Sequence, residues 1–178
     1  MKLIIFIDGD NAPKNRIEGI DLLRPNDELY ILAAKHSGEY FTDNRMHEIR
    51  DKCVAKISKM SVPLRDNAVD FTVTAFASQL IDQRKNEPNI YVLVSEDKHF
   101  KFIVESLREL YPPVIIYNTT SIKRIVNKMW PLLCENTDDV IWYLHGIMGE
   151  ENGNKAYNAL CSMFNQPQQK YARKWWEL

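Results

Sequence analysis

The sequence predicts an α/β fold: a parallel, doubly wound (Rossmannoid) sheet of about five strands sandwiched by helices, followed by a helical extension. Three observations predict it. The strand candidates are short, continuous apolar runs, with Leu3–Ile7 and Ile90–Val94 the clearest. Strands covered on both faces look like this, whereas half-exposed strands alternate. Stretches with helical spacing separate the runs, and no strand pattern appears after Tyr117. The 178 residues therefore divide into a sheet domain, 1–130, and a helical extension, 131–178, expected to pack on it.

The first run stops abruptly on Asp8-Gly9-Asp10-Asn11. Gly9 permits a sharp turn, Asn11 is a good helix N-cap, and Pro13 suits a first helical turn. A weak helix is expected over Pro13–Leu23, with Ile17, Ile20, Leu22 and Leu23 inward. Glu28–Ala34 is the second buried strand, trailed by the loop Lys35-His36-Ser37-Gly38. Tyr40–Cys53 reads as a helix and Val54–Ser58 as a short third strand. After Pro63, Asp66 and Asn67 open a long helix to Arg84, with Asp66 a natural N-cap. The β-branched run Val69–Thr74 opposes that helix, so burial must override propensity. Ile90–Val94 is the fourth strand, His99–Leu110 a helix and Val114–Tyr117 the fifth strand. Thr119-Thr120-Ser121 caps a helix to Met129. Beyond Pro131, Glu135–Met148 and Gly153–Phe164 read as two helices split by a turn from Gly149 to Gly153, and Gln168–Leu178 as a third.

The formal charge is −1, which gives no global footprint for nucleic acid or an anionic membrane. Any polyanion must be met by a local patch. Cys53, Cys134 and Cys161 are odd in number and far apart, without zinc spacing or a disulfide framework. A reducing, cytoplasmic setting is expected. The opening apolar run is shorter than a signal-peptide core and ends on acids, and no window is long enough to span a membrane.

Three pieces carry carboxylates toward one place. Asp8 and Asp10 follow the first strand, Glu96 and Asp97 follow the fourth, and Asp66 and Asp70 lie at the start of the long helix, on one face of it. In a parallel sheet all three meet at its carboxyl edge, where α/β proteins bind ligands. Asp70 is the most telling, because it interrupts an apolar run. Clustered carboxylates repel unless a cation joins them, and hard oxygen ligands suit Mg²⁺ or Mn²⁺. Such an ion can activate water and stabilise charge on a phosphoryl group. Each acid also has a plain structural reading as a cap, turn residue or solvated side chain.

The pieces Phe6-Ile7-Asp8-Gly9-Asp10-Asn11, Val69-Asp70-Phe71 and Tyr91-Val92-Leu93-Val94-Ser95-Glu96-Asp97-Lys98-His99-Phe100 together resemble a PIN-like ribonuclease domain, and its NYN branch in particular. The resemblance covers roughly residues 3–128 and rests on the three short motifs occurring in order. It implies a metal-dependent nuclease that hydrolyses RNA phosphodiester bonds, with Asp8, Asp70 and Asp97 as catalytic, metal-binding acids and Asp10, Asp66 and Glu96 as further candidates. His99 stands where the family often has another aspartate, and Glu96 replaces a glycine. A neutral imidazole is a poor Mg²⁺ ligand but suits Mn²⁺ or acid–base work.

Asn11, Lys35, Arg65, Ser95, Lys98, His99 and Lys123 are the candidates for touching substrate. With Lys14, Arg16, Lys101 and Arg124, the basic members of that set fall near the acidic edge and can steer RNA, single-stranded RNA being expected. Near the end, Lys170-Tyr171-Ala172-Arg173-Lys174-Trp175-Trp176 interleaves charge with aromatics, as in stacking surfaces. The tryptophans equally suit sealing the tail onto the core or onto a second copy in a homo-oligomer. Two other functions fit parts of the pattern. One is an RNA-binding module with a degraded site that no longer cuts. The other is a haloacid-dehalogenase-type phosphatase, which also begins with Asp-x-Asp, here Asp8-Gly9-Asp10, but lacks the usual Thr and leaves Asp70 without a role.

Overall fold

The computed structural model describes residues 1–10, 14–34, 40–63 and 65–163, with the backbone alone at Lys14, Asn15, Thr137 and Met163. Strands β1 (Lys2–Asp8), β2 (Glu28–Ala34), β3 (Lys56–Val62), β4 (Asn89–Val94) and β5 (Ile115–Thr119) form one five-stranded sheet in the order β3-β2-β1-β4-β5. Every pairing is parallel, so the fold is Rossmann-like α/β. The helices are α1 (Asp43–Lys52), α2 (Ala68–Arg84), α3 (His99–Leu110), α4 (Ile122–Leu133), α5 (Thr137–Met148) and α6 (Glu150–Met163). The described residues form two compact units that divide after Ile125, within α4. The first holds the sheet; in the second, α5 and α6 pair, with His145 Nε2 2.9 Å from Asn154 Oδ1.

Right-handed crossovers send the β1–β2 and β2–β3 connections over one face of the sheet and the β3–β4 and β4–β5 connections, which carry α2 and α3, over the other. On the α2/α3 face, Ile4, Phe6, Tyr30, Leu32, Tyr91 and Leu93 join Val73 and Ile81 of α2 and Phe100 and Val104 of α3 in one buried cluster. Phe6 stacks on Tyr30 at 5.6 Å, and Phe76 meets both rings edge-on. The alternate residues Leu3, Ile5, Ile7, Leu29, Ile31, Ile90, Val92 and Val94 are wholly buried as well. Both faces of the central strands are thus covered, which is why they read as unbroken apolar runs. Each such side chain contributes roughly 1.5–3 kcal/mol by burial.

Several elements differ from the sequence expectation. The weak helix over Pro13–Leu23 is two short 3₁₀ turns, Lys14–Ile17 and Ile20–Leu22. Gly19 splits them at φ 88°, and a Cβ there would come within 2.7 Å of the Lys123 Cα. The third strand runs Lys56–Val62 rather than Val54–Ser58. It lies at the sheet edge, with Lys56 and Lys59 exposed, and so lacks the apolar run of an inner strand. Asp66 is not the cap of α2: Asn67 precedes the helix in the left-handed region, φ 57°, without a side-chain cap bond. The β-branched start of α2 is held by burial of Val69 and Val73 in the core, while Thr72 and Thr74 donate back to the Ala68 and Asp70 carbonyls, both at 2.7 Å. The fifth strand is shifted to Ile115–Thr119, α4 runs on through Pro131 to Leu133, and α6 starts at Glu150, directly after Gly149. Asn11, Pro13, the loop Lys35–Gly38, and the expected third helix over Gln168–Leu178 with its two tryptophans lie outside the described residues. Cys53, Cys134 and Cys161 are free thiols. Among the described residues no helix is long and apolar enough to cross a membrane.

Candidate metal centre

The strand order reverses direction between β1 and β4, and a crevice at that point, beyond the carboxyl ends, is where this topology binds ligands. Asp8 ends β1 and Ser95-Glu96-Asp97 follows β4, so both acidic motifs stand at the switch point. Gly9 keeps the β1 end tight against β2. Its N–H donates to the Leu32 carbonyl at 2.6 Å, and a Cβ would lie 2.7 Å from that of Ala33.

Ser95 fastens the two strand ends together. Its N–H donates to the Thr119 carbonyl at 3.0 Å, its hydroxyl donates to Asp8 Oδ2 at 2.8 Å, and the Asp97 N–H donates to that hydroxyl at 3.0 Å. Asp97 then opens α3: its Oδ1 accepts the His99 N–H at 2.9 Å and lies 3.3 Å from His99 Nδ1. Asp70 arrives in the first turn of α2. One ligand atom from each of Asp70, Asp97 and His99 lies within 4.8 Å of the other two. Two half-buried carboxylates and an exposed imidazole thus converge, drawn from two helix starts.

The charge around this group is unbalanced at Asp70. Burial raises its carboxyl pKa above the ordinary value, and the charges of Asp8, Asp97 and Asp10 raise it further, against an opposing effect of His99. The donor set fits a divalent cation: carboxylates suit Mg²⁺ and Mn²⁺, and the imidazole tilts the set toward Mn²⁺.

The other expected site residues are not members of that trio, although the charges of Asp8 and Asp10 act on Asp70. Asp8 is fully buried behind it, with Arg16 Nη1 3.7 Å from its Oδ2 and the Asp10 N–H donating to its Oδ1 at 3.2 Å. Asp10 itself accepts the Ala34 N–H at 2.8 Å and so closes the end of β2. Glu96 is about half exposed, with Oε2 3.7 Å from Arg16 Nη2. Asp66 is exposed in the turn before α2. Of the expected substrate contacts, Ser95 is buried and committed to Asp8 and the Asp97 amide, so it supports the site from behind. Arg65 and Lys98 are exposed, Lys123 pairs with Glu18 at 2.7 Å, and His99 belongs to the trio. Asn11 and Lys35 lie outside the described residues.

Arg16 is the residue whose role sequence reasoning mistook. Expected on the surface among steering cations, it is 1% exposed and spans Asp8 and Glu96. Burial pulls its guanidinium pKa below the usual value, and Asp8 and Glu96 counter that pull. A cation eight residues beyond the acid it neutralises leaves no periodic signal in the sequence.

Fold and site together define a Rossmann-like domain with a carboxylate–imidazole group at its switch point. Compared with known proteins, the chain matches no family model, no curated protein and no solved structure.

Proposed function

We propose that the protein is a metal-dependent ribonuclease that hydrolyses RNA phosphodiester bonds at the carboxyl edge of the sheet. The observation that carries this reading is the convergence of Asp70, Asp97 and His99 at the switch point. The resemblance of the three motifs to PIN-like, NYN-type domains supplies RNA as the substrate class. Asp70, Asp97 and His99 would hold the ion, and a bound Mg²⁺ or Mn²⁺ supplies Lewis-acid polarisation of a phosphoryl oxygen and a water of lowered pKa. Ser95 holds Asp97 in register with Asp8, and Arg16 offsets the charge of Asp8 behind the trio. Exposed Arg65 and Lys98 draw the phosphate chain toward the acids. The three free thiols suit a reducing, cytoplasmic setting.

The phosphatase reading needs Asp8 as a nucleophile, and an acid with no exposed surface whose carboxylate is held by Ser95, Arg16 and the Asp10 amide is poorly placed for that. The RNA-binding module shares the same surface and differs only in turnover. Purified protein is to be incubated with labelled single- and double-stranded RNA and DNA in Mg²⁺, Mn²⁺ or EDTA. Cleavage of RNA that EDTA stops is the expected result. Binding without cleavage under any metal leaves the module, and release of phosphate from small esters with a phosphorylated Asp8 leaves the phosphatase.

A further inference from the structure

Arg16 is a buried cation at the acidic edge, and it stands beside the acids outside the trio. Its Nη1 donates to the Asp8 carbonyl at 3.4 Å and lies 3.7 Å from Asp8 Oδ2, and its Nη2 lies 3.7 Å from Glu96 Oε2. Its Nε is buried and meets no hydrogen-bond partner among the described residues. A guanidinium placed like this is not held by a close-fitting set of hydrogen bonds. The charges of Asp8 and Glu96 are what offset its burial. Arginine keeps its proton throughout the ordinary pH range, so the positive charge at this place is permanent.

The acids sort into two sets by the cation open to them. Asp8 is fully buried with both carboxylate oxygens engaged, Oδ1 by the Asp10 N–H at 3.2 Å and Oδ2 by the Ser95 hydroxyl at 2.8 Å. Asp10 Oδ1 is engaged in turn by the Ala34 N–H at 2.8 Å. Among the described residues, neither acid joins a group of three ligand atoms close enough to share an ion, whereas Asp70, Asp97 and His99 do. One divalent cation there would balance the charge of both its carboxylates. In centres that use two ions, a second cation sits close by. Here Arg16 already occupies the place beside Asp8 and Glu96.

We infer that the centre takes a single divalent ion, and that Arg16 is a positioning residue that fills the place of a second, holding the Asp8 and Glu96 carboxylates with a fixed charge. The oxygens next to its guanidinium are the Asp8 carbonyl, Asp8 Oδ2 and Glu96 Oε2. These are hard donors of the kind Mg²⁺ and Mn²⁺ take, so arginine and a metal ion are alternatives at this place. The inference rests on Asp70, Asp97 and His99 being an ion site, and it needs no turnover.

The test counts Mn²⁺ per chain, by equilibrium dialysis of the full metal-free chain at saturating Mn²⁺ followed by elemental analysis, beside thermal melts. Wild type should bind one ion. Arg16→Ala removes the charge and opens its space, and should bind two. Arg16→Lys keeps a cation and should bind one. Arg16→Ala combined with Asp8→Asn loses the acid as well and should return to one. Arg16→Gln, a smaller truncation, should also bind two and gives the count where Arg16→Ala does not fold. Two ions on wild type, or one on the folded neutral variants, overturns the inference, and so does a second ion that survives Asp8→Asn. No saturable binding by wild type overturns it together with the metal centre. The expected counts without RNA cleavage under any metal leave the role of Arg16 standing and remove the nuclease. RNA cleavage by a wild type that holds two ions does the reverse.

Discussion

The two ends of the same sheet treat buried acids in opposite ways. At the amino end, Asp27 accepts the Leu3 and Arg24 N–H groups, both at 2.8 Å, and faces Arg24 Nη2 at 3.5 Å. Beside it, Glu28 accepts from Arg84 at 2.8 Å, Lys2 at 3.1 Å and the Tyr30 hydroxyl at 2.6 Å. Burial pushes the Glu28 pKa up, yet the hydrogen bonds from Tyr30, Arg84 and Lys2 outweigh it and hold the carboxyl at about 2. The Tyr30 hydroxyl, buried and bound to that carboxylate, is pushed up to about 12. At the carboxyl end, Arg16 answers Asp8 and Glu96, while Asp70 is left with a raised pKa among like charges. Matched charge at one end secures the fold. Unmatched charge at the other is what the proposed cation site requires.

The largest expected effect lies at the unmatched end. Asp97→Asn or His99→Ala should lower RNA cleavage by roughly a hundredfold or more, because several kcal/mol of charge stabilisation go with the ion. Asn at position 97 still offers an oxygen to the His99 N–H, so the melting temperature of that variant should barely move. At the matched end the pattern reverses. Asp27→Ala strands two buried backbone N–H groups and removes the carboxylate facing Arg24, whose guanidinium keeps the Met1 carbonyl, and should cost about 2–4 kcal/mol in urea unfolding.

Acid separates the two ends further. The folded Glu28 carboxyl sits at about 2 against an ordinary 4.5, so its stabilisation is fully present above 4.5 and is lost as pH falls toward 2. The difference in unfolding free energy between wild type and Glu28→Gln should shrink by about 2–3 kcal/mol over that window. The smallest effect has the opposite sign: in EDTA at neutral pH, Asp70→Asn should raise stability, because it removes a charge that burial and the neighbouring Asp8 and Asp97 disfavour. Thermal melts with and without Mn²⁺ read this directly, since wild type should gain far more from the ion than the variant.

The sequence carried the sheet well because its inner strands are covered on both faces. Glu28–Ala34 and His99–Leu110 have the expected ends, and Asp8 and Asp97 stand at the expected edge. The exposed edge strand was displaced because Lys56 and Lys59 interrupt its apolar signal. Within the site, the sequence drew Asp70 and Asp97 toward one place but did not separate these half-buried acids from the fully buried Asp8. Asp8 and Asp97 follow equally apolar runs, and their difference is made by Arg16, Ser95 and the backbone path after each strand. His99 lies beside the acids because Asp97 turns back onto its N–H at the start of α3. Such contacts are fixed by tertiary placement and have no periodicity to read.

The most direct test of a cation at Asp70, Asp97 and His99 is a Mn²⁺ titration of metal-free protein, with free Mn²⁺ followed by electron paramagnetic resonance. Wild type and Asp66→Asn, whose acid is exposed outside the trio, should bind with the same affinity, and Asp70→Asn should bind at least roughly tenfold more weakly. Equal binding by all three proteins, or no saturable binding by wild type, would contradict the site.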